Sequence, residues 1–416
     1  MNYRERAADA ALSDLLAAMG GVLLQGPRGC GKSTTALRQA GSSVRLDADP
    51  SLRELANLDP RALLEGATPR LIDEWQLAPG LWNVMRHEID ARREPGQFIV
   101  SGSASPAPDR ARHSGAGRIG RLRMRTMSLS EFGRSADLFS FEDLISSSTI
   151  SGRSPMGYRD MAEAAVIGGW PALLTANQQQ ARNFTRSYLD DLCSTEIPLA
   201  TGVRHNPVRL RRLIESIARN TATDVTIKKL AHDVSADGGE LDPKTVRFYL
   251  DALAMVFAID ELPAWSVPLR SKSRLHTSSK LSMTDPSLAC AALGIDADRL
   301  AKDPEFFGQI FESLVVRDVR AAIDARFGHA YHYRDNVGLE VDVIIEFEDG
   351  GWAAIEVKLG SNRFAEAERN LLLLRDRRVD LDRVGQPAFL AIFTATEYAY
   401  TLPSGIHIVP LATMRI

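Results

Sequence analysis

The run Gly26-Pro-Arg-Gly-Cys-Gly31-Lys32-Ser33 constrains the fold more than any other stretch of this chain. An apolar, strand-like run (Val22–Gln25) precedes it, and a helix-like segment (Ser33–Ala40) follows. GxxxxGK[ST] between a strand and a helix is the pattern of a phosphate-binding loop. The glycines let successive N–H groups turn inward toward phosphate oxygens. The helix after them presents its positive end to the same anion. Gly26, Pro27, Arg28, Gly29, Cys30, Gly31, Lys32, Ser33 and Thr34 form the expected nucleotide-binding set. Lys32 is expected to reach the β- and γ-phosphates of ATP, and Ser33 to ligate Mg²⁺.

Such a loop needs a sheet behind it. VLLQ (22–25), VRLD (44–47), RLID (70–73), QFIV (97–100) and RLRMR (121–125) read as short strands, separated by helical stretches such as Leu81–Arg92. That alternation predicts a parallel α/β sheet with helices on both faces. Leu71-Ile72-Asp73-Glu74 ends one strand in two acids about forty residues after the loop. Asp73 is the expected Mg²⁺ ligand, and Glu74 the group that activates the attacking water. Ser101 and Ser103 close another strand, either as γ-phosphate sensors or as turn caps. Residues 110–134 carry seven arginines against one acid, Glu131. Arg118 or Arg121 is a candidate arginine finger offered to a neighbouring subunit of a homo-oligomer, the alternative being a solvated basic face.

Composition sets the wider limits. With 416 residues, 44% hydrophobic and 25% charged, the chain has room for two to four domains. A net charge of −3 excludes a polycation that coats nucleic acid, so any basic surface must be local. The three cysteines are too scattered for a disulfide framework or zinc cluster and point to a reducing compartment. The first residues lack the apolar core of a signal peptide, and the longest apolar run, Ala252 to Ile259, is far short of a membrane span. The expectation is a cytoplasmic protein without a membrane partner.

Residues 209–261 suggest a winged helix-turn-helix. Leu210, Leu213, Ile214 and Ile217 form a helical stripe, and Ile227, Leu230 and Ala231 a second. Asp242-Pro243 opens a third helix as cap and first residue. Lys244 and Arg247 would lie on its exposed face, where such modules meet DNA. The 201–280 segment has a charge excess of only +4, so DNA contact and a purely structural coupling role both stand.

Further on, Gly338–Phe347 and Trp352–Lys358 flank an Asp-Gly-Gly turn and read as a hairpin. Glu356 and Lys358 share a face. Asp342 joins them if the turn spans an odd number of residues, or if a bulge shifts the register. Asp-x(13)-Glu-x-Lys has the shape of a PD-(D/E)XK nuclease core. There Asp342 and Glu356 would hold Mg²⁺ and Lys358 would position water. Glu312 is a candidate third carboxylate. An ordinary salt-bridged surface hairpin is the alternative.

The stretches LLQGPRGCGKSTTA, LIDEWQLAPGLW, FIVSGSAS, GRIGRLRMRTMSLSEFG, LDPKTVRFYLDAL and YRDNVGLEVDVII…AAIEVKLG together resemble a prokaryotic family of AAA-type ATPases fused to a C-terminal domain of unknown function. The resemblance implies an additional-strand P-loop ATPase, then a winged helix, then a PD-(D/E)XK-like α/β domain. Lys32, Ser33, Asp73 and Glu74 would take the nucleotide roles, and Asp342, Glu356 and Lys358 the nuclease-like positions. Asp342 follows Val341 rather than the Pro of the motif's name. The expected division is 1–160 ATPase, 161–205 helical linker, 206–290 winged helix and 291–416 nuclease-like domain. The expected function is Mg²⁺-dependent ATP hydrolysis coupled to a nuclease-like domain acting near DNA. The alternative is an ATP-dependent assembly switch, or a defence or toxin-type ATPase, with a degenerate docking domain.

Overall fold

A computed structural model describes residues 3–102, 115–203, 205–235, 242–266, 278–326 and 328–416. The N-terminal third is a parallel five-stranded sheet. Its strands are β1 (Gly21–Gln25), β2 (Ser42–Arg45), β3 (Arg70–Asp73), β4 (Phe98–Gly102) and β5 (Ile119–Arg123), in the order β2-β3-β4-β1-β5. β4 therefore lies between the strand that feeds the Gly-rich loop and the strand that ends in Asp73. The central strands GVLLQ and FIVSG are apolar throughout because both faces are covered. Val22, Leu24 and Ile99 pack on one face with Leu12 and Ala36, while Leu23, Phe98 and Val100 pack on the other with Trp82 and Met85.

The Ser-rich 134–160 stretch contains β6 (Ser151–Arg153), which pairs antiparallel with a C-terminal strand. Three polar residues at a sheet edge leave no apolar alternation to read. Residues 161–203, expected as a helical linker, are largely helical, and many of them are buried. Met161, Ala162, Ala165 and Trp170 are fully buried in the largest apolar cluster of the chain. A helix apolar on most sides is a buried helix.

Helices Pro207–Arg219, Ile227–Val234 and Pro243–Met255 follow, and then the antiparallel pair β7 (Ile259–Leu262) and β8 (Lys280–Met283). Asp242 caps the third helix through the Lys244 N–H, with Pro243 in its first turn. A single bridge from Thr223 to Leu281 extends the pair.

The helix Pro304–Asp324 then lies against a seven-stranded mixed sheet. Its further strands are β9 (His329–Arg334), β10 (Glu340–Glu346), β11 (Trp352–Lys358), β12 (Leu390–Thr394), β13 (Tyr398–Thr401) and β14 (His407–Pro410), and the order is β6-β13-β14-β12-β11-β10-β9. Val343, Ile345 and Ile355 face the long helix, and Ile344, Ala354 and Ile392 face the helix Phe364–Leu373. The central strands are thus covered on both sides.

His332 on β9 is fully buried, and its Nε2 is 2.9 Å from the Ser278 carbonyl oxygen. Burial holds its pKa below the ordinary value. The unfolded chain therefore takes a proton first as pH falls below about 6.5, and stability drops with it. The melting temperature is expected to fall between pH 7 and pH 5, less steeply in His332→Gln. Parallel melting curves for the two proteins would refute this.

Candidate functional sites

The Gly-rich loop leaves β1 and enters the helix Lys32–Gln39 with Gly26, Gly29 and Gly31 at φ of 153°, 77° and 105°. Gly26 is the most constrained, because a Cβ there would lie 2.2 Å from the Met124 carbonyl oxygen. Pro27 and Cys30 are buried, and Arg28 and Thr34 are exposed. Lys32 is 6% exposed, and its ammonium donates to the carbonyls of Gly26 and Pro27 at 2.9 Å each. The loop thus wraps its own cation, which phosphate oxygens could take over.

Ser33 and Asp73 meet at the C-terminal end of the sheet. The Ser33 hydroxyl donates to Asp73 Oδ1 at 3.1 Å, and the Ser101 hydroxyl donates to the same oxygen. Asp73 and Ser101 are register partners on β3 and β4. Ser101 therefore holds Asp73 rather than projecting alone. Glu74 is half-buried in the left-handed region (φ 56°, ψ 41°), with the Gln76 amide donating to its carboxylate. Ser103 lies outside the described residues.

Neither candidate finger approaches the loop of its own chain. Arg118 is bound to Asp90 at 2.6 Å, beside the start of β1 and so at the opposite end of the sheet from the loop. Arg121 is exposed on the edge strand β5. The arginines at the loop end are ones the sequence reading did not single out. Arg125 is buried and bonds Asp260 of β7 and, at 2.7 Å, Asp324 of the long helix. Arg123 and Arg320 reach the same Asp260 at 3.2 and 3.0 Å. Arg6 donates to the Cys30 and Arg125 carbonyls, both at 2.8 Å, and so ties the loop to this junction. These pairings join distant segments, and no local pattern announces them.

The second site lies at the ends of β10 and β11. Their register pairs Val343 with Ile355 and Glu346 with Trp352, so the turn spans five residues and Asp342 falls opposite Glu356. The odd-turn condition is met. A separate irregularity between Val341 and Ile344 disturbs only the pairing with β9. The Lys358 ammonium contacts Asp342 Oδ2 at 3.2 Å and also Glu356 Oε2. The Val357 N–H donates to Asp342 at 2.7 Å, and the Asn370 amide donates to Glu356 at 3.0 Å. Burial, reinforced by Asp342, pushes the Glu356 carboxyl up to about 8. Burial also opposes charge on Asp342, but Lys358 and Lys280 outweigh it and hold that carboxyl below its usual range. The facing pair titrates as a unit.

Glu312, on the helix Pro304–Asp324, faces the same cleft, which encloses about 500 Å³. Among the described residues no three His, Cys, Asp or Glu side chains converge as a ligand set. The carboxylates converge on ammonium groups instead.

Residues 20–133 match a family model described as an AAA domain. Residues 158–299 and 307–414 match models described as domains of unknown function, DUF8612 and DUF4143. An uncharacterized protein of Mycobacterium tuberculosis and one of Mycobacterium bovis are each 27% identical over 397 residues, covering 94% of this chain and 79% of theirs. Among solved structures, the Walker-type ATPase of Pyrococcus abyssi aligns at 12% identity over 70% of this chain and 99% of its own, with a TM-score of 0.43. Aeropyrum pernix ORC1, solved in complex with DNA, aligns at 12% identity over 70% and 93%, with a TM-score of 0.26. The chain is an α/β protein whose residues 20–133 are similar to AAA-type P-loop domains. Residues 307–414 are similar to DUF4143 domains. Among the described residues no helix is long and apolar enough to cross a membrane.

Proposed function

We propose that this chain is an Mg²⁺-dependent ATP-binding and hydrolysing protein whose nucleotide state is coupled to a nucleic-acid-associated, nuclease-like C-terminal domain. The observation that carries the reading is the meeting of Ser33 and Asp73 at 3.1 Å beside the loop that cradles the Lys32 ammonium. Their oxygen donors suit Mg²⁺, which would neutralise charge on the phosphates when bound. Lys32 binds the β- and γ-phosphates, Asp73 keeps Ser33 oriented, Ser101 keeps Asp73 oriented, and Glu74 takes a proton from the attacking water. Arg118 and Arg121 do not reach the loop of their own chain, and a finger role for either would require a neighbouring copy.

Three helices followed by β7–β8, with the Thr223–Leu281 bridge, support a winged helix-turn-helix between the two sites. Lys244 and Arg247 are exposed on the third helix, where DNA would lie. The register of Asp342, Glu356 and Lys358 supports the PD-(D/E)XK reading. The carboxylates are hard oxygen donors suited to Mg²⁺, which would there stabilise charge at a scissile phosphate. Lys358 holds both carboxylates and offers a proton donor beside them. The ammonium groups that neutralise these acids favour a second reading, in which the domain docks a partner without cutting.

One assay separates the readings. ATP hydrolysis is expected in both. Mg²⁺-dependent cleavage of DNA, lost in Lys358→Ala, belongs to the first alone. Absence of cleavage, or cleavage untouched by Lys358→Ala, excludes the nuclease role.

A further inference from the structure

The carboxylate cleft holds a cation contributed from elsewhere in the chain. Lys280 opens β8, in the segment between the two candidate sites, and is 5% exposed. Its Nζ lies 2.7 Å from Glu312 Oε1, 2.7 Å from Glu340 Oε1 and 3.8 Å from Asp342 Oδ1. An ammonium is a compact point charge with three donors. Two carboxylates within 2.7 Å and a third at 3.8 Å let it neutralise the acids at this end of the cleft. Burial works against its charge, but Glu312, Asp342 and Glu340 raise its pKa well above the ordinary value, so it stays charged at neutral pH.

We propose that Lys280 is a tethered cation that occupies the carboxylate cleft in place of a divalent metal, and that the β7–β8 pair is the arm that inserts and withdraws it. The proposal rests on the reading of Asp342 and Glu356 as a metal site. The arm has a second anchor. Leu262 pairs with Lys280 and Asp260 with Ser282, so Asp260 and Lys280 sit two positions apart along the pair. Both engage the helix Pro304–Asp324, Lys280 through Glu312 and Asp260 through Arg320. Asp260 is also bound by Arg123 and Arg125 of the ATPase sheet, and Arg6 joins the Arg125 backbone to Cys30 of the Gly-rich loop. A shift of that loop on nucleotide binding therefore acts on the strand pair that carries Lys280.

The test uses the full chain without nucleotide and Mn²⁺ as the probe, with binding followed by electron paramagnetic resonance. Lys280→Gln is expected to bind Mn²⁺ at least about tenfold more tightly than wild type, within the usual range of coupling between a site and its competitor. Adding Asp342→Asn is expected to abolish the gain. Equal, Asp342-dependent binding in wild type and Lys280→Gln overturns the proposal and leaves the metal reading standing. No Asp342-dependent binding in either protein removes the metal reading, and the proposal with it. Wild-type protein supplies a check that does not depend on folding of a variant. Amine-reactive labelling of Lys280, read by peptide mass spectrometry, is expected to be low without metal and to rise several-fold at millimolar Mn²⁺. Labelling that does not change overturns the proposal.

Discussion

Asp260→Ala is expected to destabilise the protein by about 3–5 kcal/mol, the loss typical when one partner leaves a buried ion cluster. Asp260 is 8% exposed and Arg125 is 3% exposed, so water cannot replace the missing carboxylate. Three guanidiniums, Arg123, Arg125 and Arg320, face two carboxylates, Asp260 and Asp324. Arg320 already feels the crowding: burial and the neighbouring Arg125 push it down to about 10. Removing Asp260 leaves three like charges against one acid at the junction of the ATPase sheet, the β7–β8 pair and the long helix. The check is urea denaturation at neutral pH. A double-mutant cycle with Arg125→Met is expected to recover part of the loss, since it removes the orphaned charge as well. A loss below about 1 kcal/mol, the range of an exposed pair, would contradict the account.

Glu74→Gln is expected to lower ATP hydrolysis by about 10²- to 10⁴-fold while ATP still binds. Asp73 is engaged by Ser33 and Ser101, with Arg45 at 3.8 Å, and is committed to holding the loop side of the site. Glu74 is the next residue, turned out of the strand direction by its left-handed backbone. Gln keeps the size of the side chain and the contact with Gln76, but cannot accept a proton. The loss should therefore appear in turnover and not in affinity. Phosphate release and ATP titration on one preparation check both halves. Unchanged hydrolysis removes Glu74 from the water-activating role.

The parts legible in the sequence are those whose partners are near in the chain or fixed by periodicity. The Gly-rich loop announces itself in eight contiguous residues, and β1, β3 and β4 fall within a residue or two of the apolar runs that predict them. The sequence leaves the facing of Asp342 and Glu356 conditional on an odd turn, and the five-residue turn meets that condition. Glu312 could be singled out as an acid on an apolar helix. What escaped reading depends on pairings between distant segments. Arg6 meets residues 24 and 119 positions away, and Lys280 meets Glu312 from another element. In the sequence Lys280 is one more basic residue after a polar stretch. β6 is too short and too polar to read as a strand until β13 pairs with it. The helices after residue 157 read as a connection because their apolar residues do not form one stripe, and burial on several sides is the reason.

The central claim is that the loop around Lys32 binds a nucleoside triphosphate. The direct measurement is calorimetric titration of Mg²⁺-ATP into the full chain and into Lys32→Ala, each shown to be folded by circular dichroism. The account predicts saturable binding by the wild type and its loss in Lys32→Ala. Absence of binding by folded wild-type protein, or equal binding by both, would contradict it.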